Sequence, residues 1–299
     1  MGGLDCGADE RGHGREMNPG RPSFFSGRPR TESGARKKAW TSLFLIAGPC
    51  VLEDDVVNFE VADHLAELGE RLDLPVTFKA SFDKANRSAS SSPRGPGLDE
   101  GLAALARVRD RSGLPLLTDI HLPEQAARAA AVVDALQIPA FLCRQTDLLR
   151  AAAATGRPVS VKKGQWMAPE DVGGVIGKLR EAGAREMAVT ERGFAFGYGR
   201  WVVDMRSFAL MREATGCPTV FDASHAVQLP GGEGSRSGGE PEHIGRLAAA
   251  AVAAGADGLF IEVHPDPAAA PSDGSNMLPL AELERVVERA LRVREAVAV

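Results

Sequence analysis

The 299-residue sequence has no apolar run approaching the ~18 residues that a membrane span requires, and its N-terminus lacks the apolar core of a secretory signal. These absences indicate neither a membrane span nor secretion and leave the cytoplasm as the expected compartment, with no membrane partner expected from the acidic charge balance either. Cysteine is scarce: Cys6, Cys50, Cys143 and Cys217 lie far apart, which makes no disulfide framework and leaves thiols that are free or ligate a metal. An excess of positive charge is missing too. A net charge of -5 and a pI near 5.8 argue against nucleic acid as the main partner, so any anionic ligand must be held by a local cluster of cations. No Gly-rich dinucleotide fingerprint follows the first apolar run, which argues against a nicotinamide enzyme.

What is present is an ordinary globular composition, 44% hydrophobic and 25% charged, with enough apolar mass for a large core. Residues 1–39 are rich in Gly, Arg, Pro, Ser and Glu with no apolar period. Such a stretch cannot bury enough surface to offset its ordering entropy, and it reads as a disordered N-terminal extension. From residue 40 to 299, short apolar or β-branched runs alternate with longer segments of helical period, the pattern of repeated βα units. The expected strands are 43–48, 75–82, 115–120, 135–141, 158–163, 186–192, 219–224 and 258–264. Helical stretches include 54–71, 98–112, 123–133, 169–182, 240–254 and 278–297, with glycines at 113, 156, 183, 216 and 255 marking helix ends. Eight such units match an α/β fold of the (β/α)8 TIM-barrel type, whose chemistry lies at the C-terminal ends of the strands. A doubly wound open sheet is the alternative that the same alternation would serve.

Reading the strand tips in order gives Cys50; Lys79 and Ser81; Asp119 and His121; Gln137; Lys162 and Lys163; Glu191 and Arg192; Asp222 and His225; Glu262 and His264. Packing a barrel needs none of these polar groups, and each would cost about 2–7 kcal/mol if buried unpaired. Lys79, Lys84 and Arg87 within FKASFDKANRS (78–88) would alone be a solvated face, but Lys162, Lys163 and Arg192 fall on the same rim. Cations gathered in this way call for anions, and small phosphorylated substrates would supply them. GPGL (95–98) adds Gly-rich backbone before a helix, which serves a phosphate or a plain turn equally well. Cys50, His225, Glu262 and Asp273 combine a thiol, an imidazole and two carboxylates. That mixed set suits a divalent Zn²⁺, Fe²⁺ or Mn²⁺ rather than Mg²⁺. The competing reading makes Cys50 a small buried hydrophobe and His225 a hydrogen-bonded rim residue.

The motifs IAGPC (46–50), FKASFDKANRS (78–88), RGPGLDEGL (94–102), TDIH (118–121), QIPAFLCRQTDLL (137–149), VKKGQ (161–165), TERGFAFGY (190–198), FDASHAVQLPGG (221–232) and FIEVHPDP (260–267) together resemble the 3-deoxy-D-manno-octulosonate 8-phosphate synthases. The resemblance spans residues 43–297. It implies a barrel enzyme, commonly a homotetramer, that condenses phosphoenolpyruvate with arabinose 5-phosphate for lipopolysaccharide biosynthesis. By the same resemblance, Lys84, Lys162 and Arg192 hold the phosphate and carboxylate of phosphoenolpyruvate, with Gln137 and the Ala140 backbone lining its pocket. Lys79, Asn86, Arg87 and Ser88 hold the sugar phosphate, Asp222 orients sugar hydroxyls, and Lys84 is the expected proton donor. Cys50 in the first motif resembles the metal-dependent branch, which carries Cys where the other branch carries Asn, and His225, Glu262 and Asp273 complete the ligand set. ANRSASSSPRG (85–95) departs from the family pattern, lacking a His and an aromatic residue there, and Pro93 stiffens the turn. The nearest rival is a heptulosonate 7-phosphate synthase taking a four-carbon sugar phosphate, which typically carries Lys-Pro-Arg where this chain has KANRS. A sialic-acid synthase and a non-catalytic barrel subunit are the remaining alternatives.

Overall fold

The computed structural model describes residues 23–26, 43–86, 92–233 and 236–297. Eight parallel strands form the barrel: β1 (Phe44–Val51), β2 (Val76–Ser81), β3 (Leu116–Asp119), β4 (Ala135–Ile138), β5 (Val159–Lys162), β6 (Met187–Glu191), β7 (Thr219–Asp222) and β10 (Gly258–His264). Each pairs with the next, and β10 closes on β1 from Phe44↔Gly258 to Gly48↔Glu262. The outer helices are α1 (Asp55–Arg71), α2 (Leu98–Ser112), α3 (Gln125–Val132), α4 (Thr146–Ala154), α5 (Val172–Glu181), α6 (Ser207–Thr215), α7 (Ile244–Ala253) and α8 (Leu283–Val297). A closed barrel, not an open doubly wound sheet, is what the alternation builds. Between β7 and α7 lies an antiparallel hairpin, β8 (Gln228–Glu233) and β9 (Arg236–Gly239), and a two-residue strand β11 (Leu278–Pro279) extends β10. No described helix is long and apolar enough to cross a membrane.

Side chains alternate across each barrel strand with a period of two. Leu45, Ala47, Val76, Phe78, Leu136, Val159, Val161, Val189, Phe221, Leu259 and Ile261 belong to the large core between barrel and helices. Phe44, Ile46, Leu117, Ala135, Ala188, Val220 and Phe260 form a separate core inside the barrel. The glycines at 113, 156, 183, 216 and 255 all take positive φ after helices, as helix termination requires.

The N-terminal end of the barrel is stoppered from outside the eight units. Phe25 is buried against Phe44, with ring centroids 6.3 Å apart, and its backbone N–H donates to Glu186 Oε1 at 3.1 Å. Ser23 also donates to Glu186. Residues 23–26 of the 1–39 extension thus pack against the barrel end; the other residues of that stretch lie outside the described ones. Two adjacent phenylalanines carry no periodic signal, and the surface that Phe25 covers exists only once the barrel has closed.

Candidate active site

The inward phase of each strand carries on past the apolar inner core to the C-terminal mouth. There it places Lys79, Ser81, Asp119, Gln137, Lys162, Arg192, Asp222, Glu262 and His264, all of them buried. Their immediate neighbours point the other way. Lys163, fully buried, pairs with Glu191 Oε1 at 3.5 Å, donates to the carbonyls of Gly164 and Met167 at 3.2 Å, and lies 3.8 Å from the Phe194 ring. Glu191 in turn accepts from the Gly193 N–H at 2.7 Å. Lys163 and Glu191 thus leave the rim set and brace the loop after β6.

Cys50 sits in a β-bulge between Ala47 and Cys50, with φ of 72°, and Asp273 has φ of 54°. Left-handed backbone at a non-glycine residue costs of order 1–3 kcal/mol and concentrates at functional sites. Here it brings together residues far apart in the chain: one ligand atom each of Cys50, Glu262 and Asp273 lies within 4.8 Å of the other two. The Cys50 thiol donates to Asp273 Oδ2 at 3.2 Å, and His225 Nε2 stands 3.7 Å from Glu262 Oε2. His225 is oriented from behind, with Nδ1 2.8 Å from Asp222 Oδ2 and its backbone N–H donating to Asp222 Oδ1 at 2.9 Å. A carboxylate on the rear nitrogen is the usual support of a metal-binding imidazole.

Cations ring this cluster. Lys79 Nζ lies 4.0 Å from Glu262 Oε1, 3.4 Å from Asp119 Oδ1 and 3.0 Å from Ser81 Oγ. Ser81 donates to Asp119 at 2.5 Å, and His121 Nε2 is 2.9 Å from the other Asp119 oxygen. Lys162 pairs with Asp222 and rests 3.2 Å above the centre of the Phe260 ring. Arg192 donates to Gln228 Oε1 at 3.2 Å, and Gln228 donates through Nε2 to Asp273 Oδ1 at 3.2 Å, so one amide links a cation to a candidate ligand. Gln137 and Ala140 lie at the tip of β4. Asn86 is exposed in a turn, and Arg87 and Ser88 lie outside the described residues. Gln228 and Phe260 had no role assigned from sequence, although both stand inside quoted motifs; only their contacts mark them.

The electrostatics follow from burial and neighbours. Burial raises the Cys50 thiol well above its ordinary range, with the Glu262 and Asp273 carboxylates adding to it. Burial opposes the charge of Lys84, but Cys50, Glu262, Asp119 and Asp273 surround it and carry its pKa above the ordinary value. Burial likewise opposes ionisation of Asp273, yet Lys84 and His225 pull it to about 2. At Asp222, His225 and Lys162 outweigh burial and hold the carboxyl well below the usual range. Lys162 goes the other way, pushed down to about 8 by burial despite Asp222. Arg192 is lowered by burial too, and its NH1 has no partner among the described residues.

Glu262 decides what the cluster fits. Only 1% exposed, it has no hydrogen bond to either carboxylate oxygen among the described residues. A buried carboxylate with no hydrogen bond, faced by Lys79 at 4.0 Å and His225 at 3.7 Å, is unfavourable, and the mixed donors of Cys50, His225, Glu262 and Asp273 fit a divalent cation that would relieve it.

Residues 37–298 match the family model described as the DAHP synthetase I family. The chain belongs to the DAHP synthetase I family. Relatives in that family include the 2-dehydro-3-deoxyphosphooctonate aldolase of Rhodopseudomonas palustris (strain TIE-1), 57% identical over 246 residues, or 82% of this chain and 86% of the relative. The protein of the same name from Synechococcus sp. is 57% identical over 256 residues, covering 86% and 90% of the two chains. That of Bordetella petrii is 54% identical over 262 residues, covering 82% and 92%. Membership in the DAHP synthetase I family thus spans the barrel and every element that carries the candidate site.

Proposed function

We propose that this chain condenses phosphoenolpyruvate with D-arabinose 5-phosphate and water, giving 3-deoxy-D-manno-octulosonate 8-phosphate and inorganic phosphate for lipopolysaccharide biosynthesis in the cytoplasm. The observation that carries the reading is the mouth itself, where Lys79, Lys84, Lys162 and Arg192 ring the Cys50–Glu262–Asp273 cluster, with His225 3.7 Å from Glu262. Aldolase-named relatives at 54–57% identity favour octulosonate over heptulosonate chemistry. The KANRS stretch (84–88) supports the same choice.

In the reaction, C3 of phosphoenolpyruvate attacks the sugar aldehyde carbon, water adds at C2, and the resulting hemiketal phosphate expels phosphate. Lys84, Lys162 and Arg192 hold the phosphate and carboxylate of phosphoenolpyruvate, beside Gln137 and the Ala140 backbone. Lys79, Asn86, Arg87 and Ser88 hold the sugar phosphate, Asp222 orients its hydroxyls, and Lys84 delivers a proton toward the departing phosphate. Fixed charges of this kind act without reorganising during the reaction, and removing one such donor typically costs roughly 3–4 kcal/mol in the barrier. A divalent Zn²⁺, Fe²⁺ or Mn²⁺ held by Cys50, His225, Glu262 and Asp273 supplies Lewis acidity when bound.

A homotetramer is the proposed assembly. Phe141, Trp166, Phe196 and Tyr198 are exposed on the loops after β4, β5 and β6, and Phe141 stacks on Trp166. Light scattering at a mass of four chains supports this; a monomer refutes it.

Phosphate release from phosphoenolpyruvate, compared with arabinose 5-phosphate and erythrose 4-phosphate as acceptors, tests the function. Preference for arabinose 5-phosphate, lost on chelation and in Cys50→Ala, is the expected result. Preference for erythrose 4-phosphate overturns the substrate assignment, and activity indifferent to chelation overturns the metal assignment alone.

A further inference from the structure

His264 is buried, only 3% exposed, at the last position of β10, and both of its ring nitrogens are engaged. Nδ1 accepts the backbone N–H of Asp266 at 3.0 Å. Nε2 must then carry the proton, and it lies 3.0 Å from Glu53 Oε1. Glu53 is itself fixed, because the buried Asn58 side chain accepts its N–H at 3.2 Å and donates to its carbonyl at 2.9 Å. Asn58 belongs to α1, so the chain of bonds runs from that helix through Glu53 and His264 to the turn after β10.

Each bonded segment carries one candidate ligand. Glu53 lies three residues beyond Cys50, whose left-handed backbone has little intrinsic preference for its conformation. His264 lies two residues beyond Glu262 on the same face of β10. The Asp266 turn, held by Ala269 N–H to Asp266 O at 3.0 Å and Ala270 N–H to Pro267 O at 3.3 Å, leads to Asp273. Gly274 seals it: a Cβ there would fall 2.1 Å from Pro267 O, so the backbone beside Asp273 is pressed onto that turn.

We propose that the Glu53–His264 pair is a positioning device that sets the spacing of Cys50, Glu262 and Asp273 without touching the metal. The inference rests on the metal-dependent reading above and deepens it. Neither Glu53 nor His264 acts on substrate; each works through the ligand-bearing segment to which it is joined. Groups hydrogen-bonded directly to metal ligands typically contribute about 10–100-fold to metal affinity, and this pair, acting through the ligand-bearing backbone, is expected to reach that range.

The test is Zn²⁺ affinity, measured by competition with a chromophoric chelator, together with the visible spectrum of the Co²⁺-loaded protein. It compares wild type, Glu53→Ala, Glu53→Gln and His264→Asn, the last keeping an acceptor for the Asp266 N–H but falling short of Glu53. Glu53→Ala and His264→Asn are expected to weaken Zn²⁺ binding about 10–100-fold and to alter the Co²⁺ ligand-field bands. Glu53→Gln, which retains an oxygen acceptor, is expected to stay near wild type in both readouts. Glu53→Asp, one methylene short, replaces Glu53→Ala should that variant not fold, with the same weakening expected. Unchanged affinity and spectrum in the folded acceptor-deleted or shortened variant overturn the inference, as does weakening in His264→Asn alone. If wild type takes up no Zn²⁺, or Cys50→Ala takes it up as tightly, the metal reading itself falls and takes the inference with it.

Discussion

At the scale of the residue, Lys162 shows how a barrel tunes a charge. Burial pushes its pKa down to about 8, and Asp222 together with the face of the Phe260 ring keeps the ammonium form accessible. If this ammonium holds phosphoenolpyruvate, the sign of the pH effect follows. As pH rises through about 8, the free protein loses the charge that the anion needs. The expected profile of kcat/KM for phosphoenolpyruvate therefore descends through that pH. The limb in kcat lies higher, because a bound anion favours the protonated amine. In Lys162→Arg, whose guanidinium stays charged, the descending limb should move to higher pH even if the rate falls. A limb that stays in place in this variant assigns the titration to another group.

Elements add a constraint that single residues do not show. The edge-on meeting of β1 and β2 leaves no room for a side chain at Gly48, where a Cβ would stand 1.9 Å from Lys79 O and 2.8 Å from Lys79 C. Backbone cannot yield as a flexible side-chain end does, so Gly48→Ala must force β1 away from β2. Overpacking of this kind typically costs about 1–3 kcal/mol. Because the displaced strands carry Cys50 and Lys79, thermal unfolding should shift downward and metal retention should fall together. A variant with a lowered midpoint but full metal retention would show that the bulge at Cys50 absorbs the strain. The alternation along β5 and β6 acts at the same scale: Lys162 and Arg192 enter the mouth while Lys163 and Glu191 pair outside it.

For the whole molecule, stability and chemistry are separated end from end. Phe25 fills the N-terminal mouth against Phe44, and the polar network fills the C-terminal one. Truncation of a fully buried phenylalanine leaves a cavity and typically costs about 3–5 kcal/mol. Phe25→Ala is accordingly expected to lower the thermal midpoint while leaving kcat, KM and metal affinity near wild type. Altered kinetics in the folded variant would mean that the two ends are mechanically coupled.

The eight strands, the helix ends and the tips where polar groups collect were legible in the sequence, because apolar period, glycine at helix exits and polarity at strand ends are local consequences of backbone geometry. The candidate donor set was legible as residue types, since mixed thiol, imidazole and carboxylate chemistry can be named without coordinates. Closure of the barrel alone decided which of two adjacent tip residues faces the mouth, as with Lys162 and Lys163, because the phase of an alternation is set by what packs on each side. It also decided that Cys50 meets Asp273, that Gln228 joins Arg192 to that cluster, and that Phe25 has a surface to cover. Those contacts join segments whose separation along the chain carries no local signal, and they appear only when the sheet curls back on itself and pairs its last strand with its first.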